Sequence, residues 1–224
     1  MNLKDCIYSG NDFEMNYKVF YPDNYENLPL MIYLHGAGER GEDSSHLYRH
    51  GIPKLINEGM EINAVVLCPQ CPRQFVWDNV VYETKKIIDL VVKEFGIKND
   101  RICLTGSSMG GFGTWMMAKT YPEFFSGIAP VAGGGMSWRA SKLKTTPVLA
   151  FHGTNDVVVP LIYSKLMVDG AVAGGAQAEL VVLEEFGHND GIDYAYRSTN
   201  LVEWLLACRR TNFDHVPEFC ESIF

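Results

Sequence analysis

The sequence predicts an α/β fold, built on a mostly parallel central sheet with helices on both faces. Three observations carry this. Short, continuously apolar runs of strand length recur at Leu30–Leu34, Ala64–Cys68, Ile102–Leu104 and Pro147–Phe151. Such runs, without polar alternation, are expected where both faces of a strand are covered. Between them lie segments with helical periodicity, and strand and helix alternate throughout, which implies right-handed βαβ crossovers. Finally, 224 residues at 47% hydrophobic composition suffice for one substantial core, so a single domain over 1–224 is expected.

Taken in order, residues 13–21 alternate large and polar side chains as an edge strand does. Strand 30–34 leads into the glycine-rich loop His35-Gly-Ala-Gly-Glu-Arg-Gly41, and a helix is expected over about 45–58. Strand 64–68 is stopped by Pro69 and Pro72. A long amphipathic helix covers 79–95, with Val80, Ile87, Leu90, Val91 and Phe95 near helical spacing and Gly96 past its end. Strands follow at 102–104, 125–131, 147–151 and 180–183. Helices fill the intervals from Pro160 to the Gly174-Gly175 break and from about 193 to 209. No repeat, linker or low-complexity segment interrupts the pattern.

Composition narrows the classes of function. The formal charge is −8 and Arg209-Arg210 is the only arginine pair, which disfavours nucleic-acid or anionic-membrane partners. No apolar run reaches the length of a membrane span, and the first residues lack the apolar core of a secretory leader, so a cytoplasmic protein is expected. The six cysteines (6, 68, 71, 103, 208 and 220) are scattered. Cys68-Pro-Gln-Cys71 has no second pair to complete a zinc site, so reduced, structural thiols and no metal are expected.

The chemistry is concentrated at Gly106-Ser-Ser-Met-Gly110, which joins strand 102–104 to a helix ending before Pro122. Gly-x-Ser-x-Gly at a strand-to-helix junction is a nucleophile elbow, a turn so tight that Ser108 projects its hydroxyl above the sheet. In a parallel sheet the reactive groups stand in loops at the strands' carboxyl ends. Asp156 follows strand 147–151 and His188 follows strand 180–183, giving the chain order Ser…Asp…His. Asp169 falls within a helix, and Asp190 and Asp193 are too close in sequence to His188 to reach its Nδ1. His35, His46, His50 and His152 all precede Asp156, and His215 lies in a polar tail. His35 is expected to be structural and His152 to support the site from behind.

An oxyanion hole needs two N–H donors. Met109, next after the nucleophile, supplies one, and the 35–38 loop the other, from Ala37 or else Gly38. Trp77, Trp138 and Phe112 lie in or beside strand-end loops, where they either stack on an aromatic acyl group or simply pack.

Four segments then carry a resemblance: Leu34-His-Gly-Ala-Gly-Glu-Arg-Gly41, Gly106-Ser-Ser-Met-Gly-Gly-Phe-Gly-Thr114, Phe151-His-Gly-Thr-Asn-Asp-Val-Val-Val-Pro160 and Gly187-His188. Together they resemble the α/β-hydrolase superfamily, and within it the phospholipase/carboxylesterase and predicted-peptidase esterases, including feruloyl and acetylxylan esterases. The likeness runs from about residue 13 to 207. It implies serine-esterase chemistry on carboxylic esters, small or carbohydrate-linked, with no cofactor, and no large cap follows strand 125–131. A small peptidase, a thioesterase or a non-catalytic binding module are the alternatives.

Overall fold

A computed structural model describes residues 1–10 and 12–216. Its centre is one eight-stranded sheet in the order β1-β2-β4-β3-β5-β6-β7-β8. The strands are β1 Asn2–Ser9, β2 Glu14–Tyr21, β3 Leu30–Leu34, β4 Val65–Pro69, β5 Ile102–Ser107, β6 Gly127–Val131, β7 Val148–Gly153 and β8 Ala178–Leu183. β1 and β2 run antiparallel to their neighbours, and β4, β3, β5, β6, β7 and β8 are mutually parallel.

Side-chain alternation along the central strands sorts the core into two layers. Leu30, Ile32, Leu34, Ile102 and Leu104 face one side, packed by helices α2 Val81–Phe95, α3 Met109–Thr120 and α4 Ile162–Ala173. Met31, Tyr33, Val66 and Cys103 face the other, covered by α1 Gly51–Asn57, α5 His188–Ser198 and α6 Leu201–Ala207. β3, β4 and β5 are buried along their whole length, as the apolar runs Leu30–Leu34, Val65–Cys68 and Ile102–Leu104 require. Each such side chain contributes about 1.5–3 kcal/mol by leaving water.

The structure departs from the sequence reading in three places. β1 was not anticipated: it is a charged, mostly exposed edge strand paired only to β2, so no buried face imprints a pattern on it. The expected helix 45–58 is a 3₁₀ turn over Ser44–Arg49 followed by α1. Gly51 breaks it with φ +61, at a position where a Cβ would stand 2.1 Å from the Tyr33 hydroxyl. The closing helix is likewise two, α5 and α6. Thr199 separates them, its hydroxyl donating to the Ala195 carbonyl at 2.6 Å and accepting from the Leu201 N–H at 3.2 Å. This is the competition that Ser and Thr side chains offer to a helix ladder.

Cys6, Cys68, Cys71, Cys103 and Cys208 are free thiols, and Cys220 lies outside the described residues. Burial pushes Cys71 up to about 12 and Cys68 higher still, which holds both as inert thiols. No helix among the described residues is long and apolar enough to cross a membrane.

Candidate active site

Ser108 stands between β5 and α3 with φ 56 and ψ −121, a conformation that costs an ordinary residue about 1–3 kcal/mol. The glycine at 110 makes the turn possible. A Cβ there would lie 1.8 Å from the Leu34 carbonyl oxygen, so only a bare backbone lets α3 approach β3. A Cβ on Gly106 would likewise collide, 2.4 Å from the Gly110 oxygen.

Three loops at the carboxyl ends of the strands converge on this serine. His188 Nε2 lies 2.9 Å from Ser108 Oγ, and His188 Nδ1 lies 2.7 Å from Asp156 Oδ2. With Nδ1–H donated to the carboxylate, Nε2 keeps its lone pair for the serine proton. Asp156 is held in turn. Its Oδ1 accepts from the N–H groups of Val158 and Val159 at 2.9 and 2.8 Å. It is 6% exposed, and the His188 ring 11%. His188 was expected in a loop and is instead the first residue of α5, whose opening is braced by Asp190 Oδ2 accepting from the Gly187 N–H at 3.0 Å. His152 sits behind the carboxylate, its Nε2 3.3 Å from Asp156 Oδ2, its ring between Ser164 Oγ and the Val159 carbonyl. Burial holds its pKa below the ordinary value.

The 36–39 loop faces Ser108 from β3. Ala37–Glu39 form one 3₁₀ turn, so the N–H of Ala37, like that of Met109 at the start of α3, has no partner inside its own helix. His35 anchors the loop. Its Nδ1–H donates to the Gly36 carbonyl at 2.6 Å, and its Nε2 accepts from the Cys71 N–H at 2.9 Å. Complete burial lowers its pKa to about 4, which keeps the ring neutral. The structural part expected of His35 therefore has a geometry.

A cleft of ≈ 220 Å³ opens over the serine, lined among others by Ala37, Gly38, Glu39, His50, His188 and Asn189. Larger space lies at the far end of the sheet: a groove of ≈ 480 Å³ runs between the starts of β7 and β8, remote from the serine.

The aromatic candidates fare differently. Trp77 is 1% exposed and turned inward, its indole N–H donating to the His35 carbonyl at 2.9 Å and its ring edge-on to His35 at 4.9 Å. The sequence reading of Trp77 as a substrate contact is therefore corrected, since its surface is spent on the loop's backbone. Trp138 is 60% exposed on a 3₁₀ turn, Ser137–Leu143, and does not line the cleft. Phe112 does not line it either, and meets Tyr163 at 5.9 Å. Sequence reasoning overlooked Glu39, and it considered His50 only as a base, setting it aside because it precedes Asp156. The available signal was a charged residue inside an otherwise glycine-rich strand-end loop.

Esterases are prominent among the known proteins that this chain resembles. The chain is 29% identical over 149 residues to a bifunctional acetylxylan esterase/xylanase of Neocallimastix patriciarum, covering 63% of this chain and 21% of that protein. A poly(3-hydroxyalkanoate) depolymerase C of Paucimonas lemoignei is 44% identical over 50 residues, 22% of this chain and 12% of that one. The chain thus spans well under two thirds of either curated relative. Among solved structures, a thermostable esterase superposes with TM-score 0.80 at 26% identity, covering 93% of this chain and 63% of that chain. The feruloyl esterase module of Clostridium thermocellum, solved with sinapinate, shares the fold with TM-score 0.72 at 15% identity, covering 96% and 90%. The phospholipase/carboxylesterase family matches residues 72–193, which include Ser108, Asp156 and His188. With more than half its length matched and the fold in agreement, the chain belongs to the phospholipase/carboxylesterase family of α/β-hydrolases.

Proposed function

We propose that residues 1–224 form one serine esterase domain, without a large cap, that cleaves carboxylic esters through an acyl-enzyme. Ser108 is the nucleophile, His188 the general base and acid, and Asp156 the group that orients His188 and stabilises its cationic form. The observation that carries this reading is the continuous hydrogen-bonded relay, 2.9 Å then 2.7 Å, ending on a strained serine.

Ser108 Oγ attacks the ester carbonyl as its proton passes to His188 Nε2. The N–H groups of Met109 and Ala37, with Gly38 as the alternative to Ala37, hold the oxyanion. The intermediate collapses by breaking the bond to the alcohol oxygen, which takes the proton from His188. Water, deprotonated by the same imidazole, then attacks the acyl-enzyme and releases the acid and Ser108. Substrates on this reading are short-chain or hydroxycinnamoyl esters. The inward turn of Trp77 weighs toward the short-chain group, because it removes one of the aromatic platforms a hydroxycinnamoyl ring would use.

Labelling with a fluorophosphonate, followed by peptide mapping, tests the nucleophile. Stoichiometric modification of Ser108, and loss of essentially all turnover in Ser108→Ala with an intact fold, are expected. Labelling of another serine would refute the assignment. A panel of 4-nitrophenyl esters, methyl ferulate and matched amides and thioesters tests the reaction class. Amides should be slower by orders of magnitude. A faster amide or thioester would move the protein to the peptidase or thioesterase class, and ligand binding without any turnover would make it a binding module.

A further inference from the structure

Glu39 is a buried carboxylate in a place that calls for an explanation. The residue is 2% exposed yet lines the cleft with Ser108. Its Oε2 lies 3.3 Å from the point where a Cβ on Gly36 would stand, and Ser108 Cβ lies 3.6 Å from the same point. The carboxylate and the nucleophile thus lie on either side of Gly36, with room there for no side chain larger than a methyl.

The cations around it are engaged elsewhere. Arg40 donates to the carbonyls of Ala37 at 3.0 Å and Phe75 at 3.3 Å, and Arg49 donates to the carbonyl of Gly38 at 2.8 Å. His35 Nδ1 is 4.0 Å away, but its proton is given to Gly36 and its ring is neutral. Gln70 Nε2 donates to the Glu39 backbone carbonyl at 2.9 Å, but among the described residues no side chain donates a hydrogen bond to the Glu39 carboxylate, which is left with its own backbone N–H. Burial pushes the carboxyl pKa up, the sign of a charge short of solvation. A buried carboxylate in this state is costly unless a donor reaches it.

A neutral donor suits this carboxylate best. The Arg49 guanidinium already favours the carboxylate's negative charge, so a cationic ligand would meet its repulsion and an anionic one that of Glu39. A hydroxyl group meets neither. Reaction chemistry sets which half of the substrate carries it. His188 protonates the leaving oxygen, so the alcohol lies beside His188, in the cleft bounded by Asn189 and Ile192 and, on the loop side, by Glu39 and His50.

We infer that Glu39 accepts a hydrogen bond from a hydroxyl on the alcohol half of the ester, making Glu39 a specificity-determining residue for esters of polyhydroxylated alcohols such as sugars. The inference rests on the esterase reading and adds to it the residue that reads the leaving group.

Four kinetic measurements test it: wild type and Glu39→Gln, each on a mono-O-acetylated methyl xyloside and on the analogues in which a neighbouring hydroxyl is replaced by hydrogen. A hydrogen bond to a charged group corresponds to a loss in kcat/KM of about 10- to 100-fold when the hydroxyl is removed. That loss is expected in wild type and should shrink to less than about threefold in Glu39→Gln, where the charge is gone. If that variant does not fold, Glu39→Asp takes its place, its acceptor withdrawn by one methylene, and the hydroxyl effect should fall at least about threefold there. Wild type that hydrolyses 4-nitrophenyl acetate but treats hydroxylated and deoxy acetates alike overturns the role of Glu39 and leaves the esterase reading standing. An equal hydroxyl effect in wild type and Glu39→Gln also overturns it. Absence of turnover on 4-nitrophenyl acetate overturns the esterase reading, and this inference with it.

Discussion

Replacing Trp77 by phenylalanine should destabilise the protein by about 2–4 kcal/mol and leave its acyl preference unchanged. The indole N–H is the donor to the His35 carbonyl at 2.9 Å, in a position 1% exposed. Without it a buried acceptor is orphaned, which costs about 1–3 kcal/mol. The smaller ring also leaves a void beside Gly113, whose position is so close that a Cβ there would stand 2.7 Å from the Trp77 side chain. That void adds about 1 kcal/mol. For a chain of this length the sum lowers Tm by about 4–16 °C, readable by calorimetry. Because His35 anchors the loop that carries Ala37, kcat should fall for every ester in the panel by a similar factor. Should Tm hold while the ferulate-to-acetate ratio of kcat/KM drops, Trp77 would be a substrate contact and the reasoning from its burial would be wrong.

Other consequences are equally direct. His35 has its pKa depressed from 6.5 to about 4 by burial, so between those values the unfolded chain binds more protons than the folded one. Its contribution, roughly 3 kcal/mol, is complete above about pH 6.5 and is lost as the pH falls toward 4. Urea unfolding midpoints measured from pH 7 to 4.5 should fall accordingly, and less steeply in His35→Asn. Asp156→Asn should keep the fold and lower kcat by about 10⁴, since the amide would favour the wrong tautomer of His188; a loss below tenfold in steady-state assays would remove Asp156 from the relay. Gly110→Ala should abolish soluble expression or Ser108 reactivity, because its Cβ would stand 1.8 Å from the Leu34 carbonyl, whereas Gly38→Ala has nothing within 4 Å and should fold normally in thermal melts.

What the sequence disclosed and what it concealed follow one physical division. The parallel strands were legible because burial on both faces leaves an unbroken apolar run, as in Leu30–Leu34. That Ser108, Asp156 and His188 would be neighbours could be read from their places beyond strand ends, in a chain order that one fold accommodates. β1 was hidden because an edge strand with exposed faces needs no pattern. The orientation of side chains was hidden for another reason. An indole beside a strand end can turn toward substrate or toward backbone, and nothing in residues 75–78 says that the His35 carbonyl will claim it. Glu39 was passed over for the converse reason, since a charged residue in a polar loop normally points to water, and here the 3₁₀ turn folds it under the loop.

The strain at Ser108 is distributed along the sheet rather than confined to the elbow. Ser108 N–H donates to the Val131 carbonyl at the end of β6, at 3.0 Å. Ala132, the next residue along that strand and also in the left-handed region at φ 48, donates to the Phe151 carbonyl of β7 at 2.9 Å. Thr154, just beyond β7, donates to the Leu183 carbonyl at the end of β8 at 3.0 Å. Each strand's exit is thus pinned to the carboxyl end of the next, in a staircase running from the nucleophile past the Asp156 loop to the strand that leads into His188. Two of its residues are held in unfavourable dihedrals, at about 1–3 kcal/mol each, which is sustained only while neighbouring backbone groups stay in place. Serine, carboxylate and imidazole therefore keep their spacing because the parallel register keeps it for them.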